Sequence, residues 1–362
     1  MIFTESFRSR LKLAKAYCLP NAIAFQTGAA FLVGADSAIR VDIDEDLFGP
    51  VEIPGEMHFE GDGVDTIIDM IVKGANVEFE AGQAVATSDK VRTVFRSVSG
   101  PEHRVPVALK SEYDDPVSKV TVDTEIKKFV EGIEFAWVAI RGSKASMFSN
   151  RIFLSEAGDR LLVFGTDNAV INVSYCQVKR SGMNHDFTLP GKALYKAAKL
   201  LSQESQGIDL TFYRDCAILA LRGQSVRIHV PLLMGSVPDY HEIMAKVKAC
   251  DAEIDVPDVT ALIPPKEMLK VGQVAELSLS KTTGIQITIL HTGASSLFDT
   301  ELQASDIVTD VTFKLKKDEF FRCISALSGR IRIRWTDYSP LFVAIQADGK
   351  LSVHALELGE WR

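Results

Sequence analysis

The chain repeats itself, and that limits what it can fold into more than any other feature. MHFEGDGVDTIIDMIVKGANVEFEAGQAVATS carries Phe59 just ahead of a helical pattern, and DFTLPGKALYKAAKLLSQESQGIDLTFYRDCAILAL carries Phe187 in the same place. TFKLKKDEFFRCISALSGRIRIRWTDYSPLFVAIQ carries Phe313 there. The three phenylalanines stand 128 and 126 residues apart. In each copy the apolar residues alternate, fall at helical spacing for about three turns, then alternate again across a short turn. The pattern predicts strand, helix, strand, turn, strand, three times over.

A second pattern precedes the first two copies. GAAFLVGADSAIRVDI from Gly28 parallels GDRLLVFGTDNAVINVSY from Gly158, each a strand, a tight turn at Asp36 or Asp167, and an alternating strand. VAELSLSKTTGIQITILHTG holds this place more loosely in the third. Each unit also opens on a helical segment: Phe7, Leu11 and Ala14 in the first, Ile126, Phe129, Val130 and Ile133 in the second, and PKEMLKVGQVA after Pro264 in the third. Three domains are expected, 1–115, 116–241 and 242–362, joined by polar, Pro-punctuated linkers around Glu112 and Val237. The fold class is α+β, with two helices packed on antiparallel sheet in each domain.

With 46% hydrophobic residues among 362, every unit can bury a core. Five scattered cysteines without a CxxC pair suggest neither a zinc site nor a disulfide framework. No apolar leader and no long apolar run occurs, so a soluble cytoplasmic protein with no membrane partner is expected.

The formal charge is −8, yet the helices gather positive charge on their polar faces. Arg8, Lys12 and Lys15 stand at i, i+4, i+7, and Lys192, Lys196 and Lys199 repeat the spacing while Leu194, Ala197, Ala198 and Leu201 form the apolar face. Lys127 and Lys128, Lys266 and Lys270, and Lys316, Lys317 and Arg322 add to three further helices. The helix holding Val64, Ile67, Ile68 and Ile71 is the exception, with Asp65 and Asp69 at its polar positions. If the units closed a ring, these rows would line it and suit sequence-independent contact with duplex phosphates.

Catalytic motifs fail on inspection. Ser9 to Lys12 matches SxxK without its partner motifs, and Lys281 to Gly284 is one residue too long for KTG. Asp42, Asp44 and Asp46 begin like a calcium loop, but Leu47 and Ile53 occupy the glycine and glutamate positions. Nucleotide-loop, zincin and nucleophile-elbow motifs are missing, and the seven histidines never fall at ligand spacing. No enzyme activity, cofactor or metal is expected.

DFTLPGKALYKAAKLLSQESQGIDLTF followed by VPLLMGSVPDY, LLVFGTDNAVINV, and IRIRWTDYSPLFVAIQ with LSVHALEL resemble the bacterial-type DNA sliding clamp, the beta subunit family of DNA polymerase III. The resemblance implies a clamp fold assembled as a head-to-tail homodimer encircling double-stranded DNA. It implies a processivity factor that tethers DNA polymerase, is placed by a clamp loader, and works in the bacterial cytoplasm at the nucleoid. Partner peptides would enter an apolar cleft between the second and third domains. Its walls would be Thr166, Asn168, Ala169, Val170 and Ile171, then Pro238, Asp239, Tyr240 and Ile243, then Val353, His354, Ala355 and Leu356.

The sequence departs from the family pattern in that cleft. Asn168-Ala169-Val170-Ile171 stands where Gly-His-Arg-Leu is common, His354 to Leu358 replaces Met-Pro-Met-Arg-Leu, and Gly359 to Arg362 extends the chain. A retuned cleft is expected, and such divergence fits a clamp carried by a phage or another mobile element. Ring closure needs an edge strand from each copy, and VRTVFRSVS is the candidate, Val94 and Phe95 meeting apolar residues near Met268 and Leu269. Phe95 serves a domain core equally well in that pattern. The rival reading is a repeat protein whose clefts bind peptides or small ligands without DNA.

Overall fold

The computed structural model describes residues 2–44, 51–89, 91–101, 104–110, 116–123, 125–141, 148, 150–167, 169–179, 183, 185–201, 207–221, 226–235, 237–250, 252–270, 272, 274–280, 282, 284–291, 294–299, 310–336 and 339–355. It is a mixed α+β fold, and the strand registers among the described residues are antiparallel.

The first stretch runs α1 (Glu5–Cys18), β1 (Ala22–Gln26), β2 (Ala29–Val33), β3 (Ala38–Asp42), β4 (Met57–Glu60), α2 (Gly63–Val72), β5 (Asn76–Glu80), β6 (Gln83–Ser88), β7 (Val91–Arg96) and the single turn α3 (Val107–Lys110). The second runs β8 (Ser118–Val122), α4 (Ile126–Ile140), β9 (Arg151–Ala157), β10 (Arg160–Thr166), β11 (Val170–Gln177), β12 (Phe187–Pro190), α5 (Gly191–Leu201), β13 (Ile208–Phe212), β14 (Cys216–Leu221) and β15 (Val226–Pro231). After α6 (Tyr240–Lys248) come β16 (Ala252–Val256), two 3₁₀ turns at Val259–Leu262 and Met268–Lys270, β17 (Val274–Ser280), β18 (Gly284–His291) and β19 (Ala294–Asp299). The chain closes with β20 (Val311–Lys316), α7 (Lys317–Ile324), β21 (Ile331–Thr336), β22 (Ser339–Gln346) and β23 (Leu351–Ala355).

Phe59, Phe187 and Phe313 therefore sit on β4, β12 and β20, each strand leading into a helix and two strands as the repeat predicts, with a third strand beyond them. All three rings are buried, each contributing on the order of 2 kcal/mol of apolar transfer energy.

Two differences from the sequence reading stand out. PKEMLKVGQVA does not form an α-helix; the described residues there make only the 3₁₀ turn Met268–Lys270, closed by Met268 N–H donating to Pro265 O and Lys270 N–H to Glu267 O. Pro264, Pro265 and Gly272 leave too short a stretch for a helix to nucleate. Conversely, the supposed linker after Val237 contains α6. Asp239 caps it, accepting from Glu242 N–H at 3.1 Å, and Tyr240, Ile243, Met244 and Val247 form its apolar stripe.

The chain packs as two compact units, residues 1–130 with 177–233, and residues 131–176 with 234–362. In the first, the large sheet has the order β4-β1-β2-β3-β15-β14-β13-β8, and β5-β6-β7 form a smaller one. In the second, β9-β10-β11-β23-β22-β21-β16 form one sheet and β19-β18-β17-β20 another. One rule joins the repeats. The third strand of an opening half pairs with the last strand of the next repeat: β3 with β15 (Ile39 opposite Ile228) and β11 with β23 (Ile171 opposite Val353).

The opening helices lie hard against their sheets at equivalent glycines. A Cβ on Gly34 would stand 2.4 Å from Cys18 O, and one on Gly165 would stand 2.4 Å from Ala136 O. Only glycine permits that approach. All five cysteines are free and buried, and burial pushes the Cys18 thiol up to about 11 and Cys323 up to about 12.

Candidate partner-binding sites

The Thr-Asp turn between β10 and β11 is built by its own side chains. Asp167 Oδ1 accepts from Ala169 N–H at 3.1 Å and Val170 N–H at 2.9 Å, while Thr166 Oγ1 donates to Val170 O at 2.8 Å. Asp167 Oδ2 receives Arg322 Nη2 at 3.2 Å. The turn is a carboxylate-centred unit.

From the turn, β11 alternates between two faces. Ile171 and Val173 join Val353, Leu351, Tyr240 and Val247 in one apolar cluster, over which Phe148, Tyr175, Val237, Ile243 and Met244 lie half-buried. Three separate segments thus converge, as the cleft reading expects: β11, the Val237–Ile243 stretch and β23. Tyr240 is core, tilted over Phe164 at a centroid separation of 5.5 Å, and Pro238 is half-buried.

Several expected cleft residues are placed otherwise. Ile171 and Val353 are 4% and 2% exposed, so they form the floor of the patch and offer little surface to a ligand. Val170 follows the opposite face of β11, because neighbours on a strand point apart. His354 is buried on that opposite face, hydrogen-bonded to Ser352 Oγ at 2.9 Å and edge-on to the Phe320 ring. Ser352 Oγ donates to Asn172 Oδ1 at 2.7 Å, and Asn172 Nδ2 donates to Phe135 O at 2.9 Å. That leaves His354 Nε2 to donate in the neutral ring, and burial, reinforced by the Arg322 charge, pushes its pKa down to about 3. Asp239 is a helix cap. Asn168 and Leu356 lie outside the described residues, as does the side chain of Ala355.

The layer a partner could touch is instead Phe148, Tyr175, Val237, Pro238, Ile243 and Met244. Sequence reasoning missed Phe148, Tyr175, Val237 and Met244. For Tyr175 a signal existed, since Ile171, Val173 and Tyr175 share the period-2 face.

The basic rows are likewise sorted by the structure. Lys12, Lys127, Lys128 and Lys192 are exposed, Lys196 and Lys199 half-buried, and Lys266, Lys270 and Lys316 exposed. Arg8 lies over Gly74, where an added Cβ would meet its Nη1 at 2.8 Å. Lys15 pairs with Asp65 and Asp69 and Lys128 with Glu125, and two more of the expected DNA contacts are turned into the fold. Lys317 is 3% exposed, its Nζ donating to Leu269 O at 2.7 Å. Arg322 donates to Arg141 O at 2.9 Å and Ala139 O at 3.0 Å as well as to Asp167. Neither is placed to meet a phosphate.

At the candidate ring edges, Val94 is 49% exposed on β7, whereas Phe95 is 8% exposed and packs 3.7 Å from the position of a Cβ on Gly63. Phe95 is core. Met268 and Leu269 are half-buried against the cluster around Phe313 and Trp335.

No protein-family model and no curated protein matches the sequence. Solved structures do match. A DNA polymerase sliding clamp from Pseudomonas aeruginosa superposes with a TM-score of 0.77 at 13% identity, covering 97% of each chain. The DNA polymerase III beta chain from Streptococcus pneumoniae gives 0.76 at 14% identity over 99% of each chain. The Helicobacter pylori beta clamp bound to a DNA ligase peptide gives 0.72 at 14% identity over 98% of each. The chain has the sliding-clamp fold. That covers nearly all of its length, and it extends to the stretches whose sequence resembles the family only weakly.

Among the described residues, no helix is long and apolar enough to cross a membrane, and no cluster of His, Cys, Asp or Glu gathers at metal-binding geometry.

Proposed function

We propose that this protein is a processivity clamp. Two copies associate head to tail, enclose duplex DNA and tether a DNA polymerase and other partners through short peptides, with a clamp loader placing the ring and the nucleoid as the place of work. It carries out no chemistry of its own. Three domains, 1–115, 116–241 and 242–362, make up each half of the ring.

The observation that carries this reading is the strand rule of the repeats. β3 pairs with β15 and β11 pairs with β23, which among the described residues leaves β19 and β7 as the corresponding strands at sheet edges. A second copy supplies the missing pairing, β7 of one against β19 of the other, and the exposed Val91, Val94 and Leu297 on these two edges are then covered. Such pairing closes by two-fold symmetry.

Lys12, Lys192, Lys196 and Lys199 supply a positive helix face suited to phosphates. The half-buried apolar layer over Ile171 and Val353 suits a peptide with one or two hydrophobic anchors. The DNA ligase peptide bound by the Helicobacter pylori clamp is a fitting first probe.

The native mass decides first: a ring requires about twice 39.8 kDa. Retention on closed circular DNA, with loss on linearisation, decides second. A monomer, or equal release from both DNA forms, would refute the proposal.

A further inference from the structure

We propose that Arg322 is the positioning residue of the peptide cleft, and that it acts through Asp167; this rests on the cleft reading above. Its side chain reaches three groups from two places in the chain, the end of α4 and the turn after β10. Nη1 donates to Arg141 O, and Nη2 donates to Ala139 O and to Asp167 Oδ2. The first two are carbonyls at the C-terminus of α4, which have no partner within the helix and favour a cation. The third is the carboxylate that builds the cleft turn.

Asp167 explains why the contact matters. Its side chain is only 4% exposed, so the ionised carboxylate needs a countercharge, and Arg322 is the cation beside it. Its other oxygen holds the amides of Ala169 and Val170, which start the strand that continues into Ile171 on the floor of the apolar patch. Without Arg322 the buried carboxylate loses the donor on its second oxygen and turns toward water. That movement loosens its hold on both amides. The guanidinium, carried on the helix that begins just after Lys316, thus sets the geometry of a partner surface and is withdrawn from any DNA-facing role.

The test compares Arg322→Met and Arg322→Lys in the full chain. In Arg322→Met, hydrogen exchange at the Ala169 and Val170 amides should quicken by about tenfold or more. Affinity for the DNA ligase peptide should weaken by a similar factor, and the lysine variant should recover part of both. Retention on circular DNA should stay within about twofold of the unmodified protein, since this charge faces inward. Unchanged exchange at both amides in a folded Arg322→Met protein overturns the inference, as does a loss of DNA retention as large as that caused by reversing the charge of the exposed Lys12 in Lys12→Glu. If Arg322→Met does not fold, Asp167→Asn replaces it; it keeps the Oδ1 acceptor but loses the charge. Exchange there should quicken by a few-fold, and no change would again overturn the inference. If the unmodified protein ignores the peptide, the cleft reading fails, and the positioning role stands or falls on exchange alone.

Discussion

Lys15 Nζ lies 2.7 Å from Asp69 Oδ1 and 3.1 Å from Asp65 Oδ1, so the one helix that breaks the basic pattern neutralises a lysine of that pattern. Partial burial opposes the charge, yet hydrogen bonds and Coulomb attraction from both carboxylates raise the Lys15 pKa. We predict that Asp65→Asn with Asp69→Asn strengthens DNA retention at low salt. Stability should change by less than about 1 kcal/mol, since both carboxylates are exposed. Retention that is unchanged or weaker would show that Lys15 does not face the DNA.

His354 predicts an acid sensitivity. Its folded pKa is pushed to about 3, against 6.5 for the ordinary imidazole. Between these values the unfolded chain holds a proton that the folded chain does not, so stability falls as pH drops through that window. The slope from this residue is at most about 1.4 kcal/mol per pH unit. Urea midpoints at pH 7 and pH 5 should therefore differ less in His354→Gln than in the unmodified protein. Parallel curves would refute the assignment.

Gly165 and Gly158 separate close approach from backbone strain. Gly165→Ala drives a methyl into Ala136 O and should cost about 2–3 kcal/mol. Gly158 has φ +68° and open space around it, so Gly158→Ala should cost only about 1 kcal/mol. Thermal unfolding of the two variants measures the difference, and equal losses would contradict the packing argument.

For assembly, Val94→Asp or Leu297→Asp should give a folded monomer by sedimentation. Phe95→Asp should instead weaken the fold itself, because that ring is core. A dimer that survives both edge substitutions would exclude the β7–β19 seam.

In the cleft, Ile171→Asp buries a charge and should destabilise the protein by several kcal/mol. Ile243→Asp and Met244→Asp should leave the melting temperature within a few degrees and still weaken binding of the DNA ligase peptide. The result to watch for is the reverse: a stable Ile171→Asp protein, or half-buried positions indifferent to the peptide, would move the site elsewhere.

The sequence by itself determined the threefold strand–helix–strand plan and the apolar face of α5, because periodicity is local and each element needs one buried face. It also carried the tight turns at Asp36 and Asp167, whose conformation depends on a few neighbouring residues. Only the tertiary structure decided where the charges go. Arg322 and Lys317 look like their solvated neighbours along the helix, but Asp167 and Leu269 lie 155 and 48 residues away and capture them. Nor could consecutive letters tell that Ile171 belongs to one layer while Val170 and His354 turn to the other, since that depends on which face of β11 meets α4 and which meets α6. Pairings such as β3 with β15 and β11 with β23 join segments far apart in the chain, and their register follows from apolar faces that must be covered together.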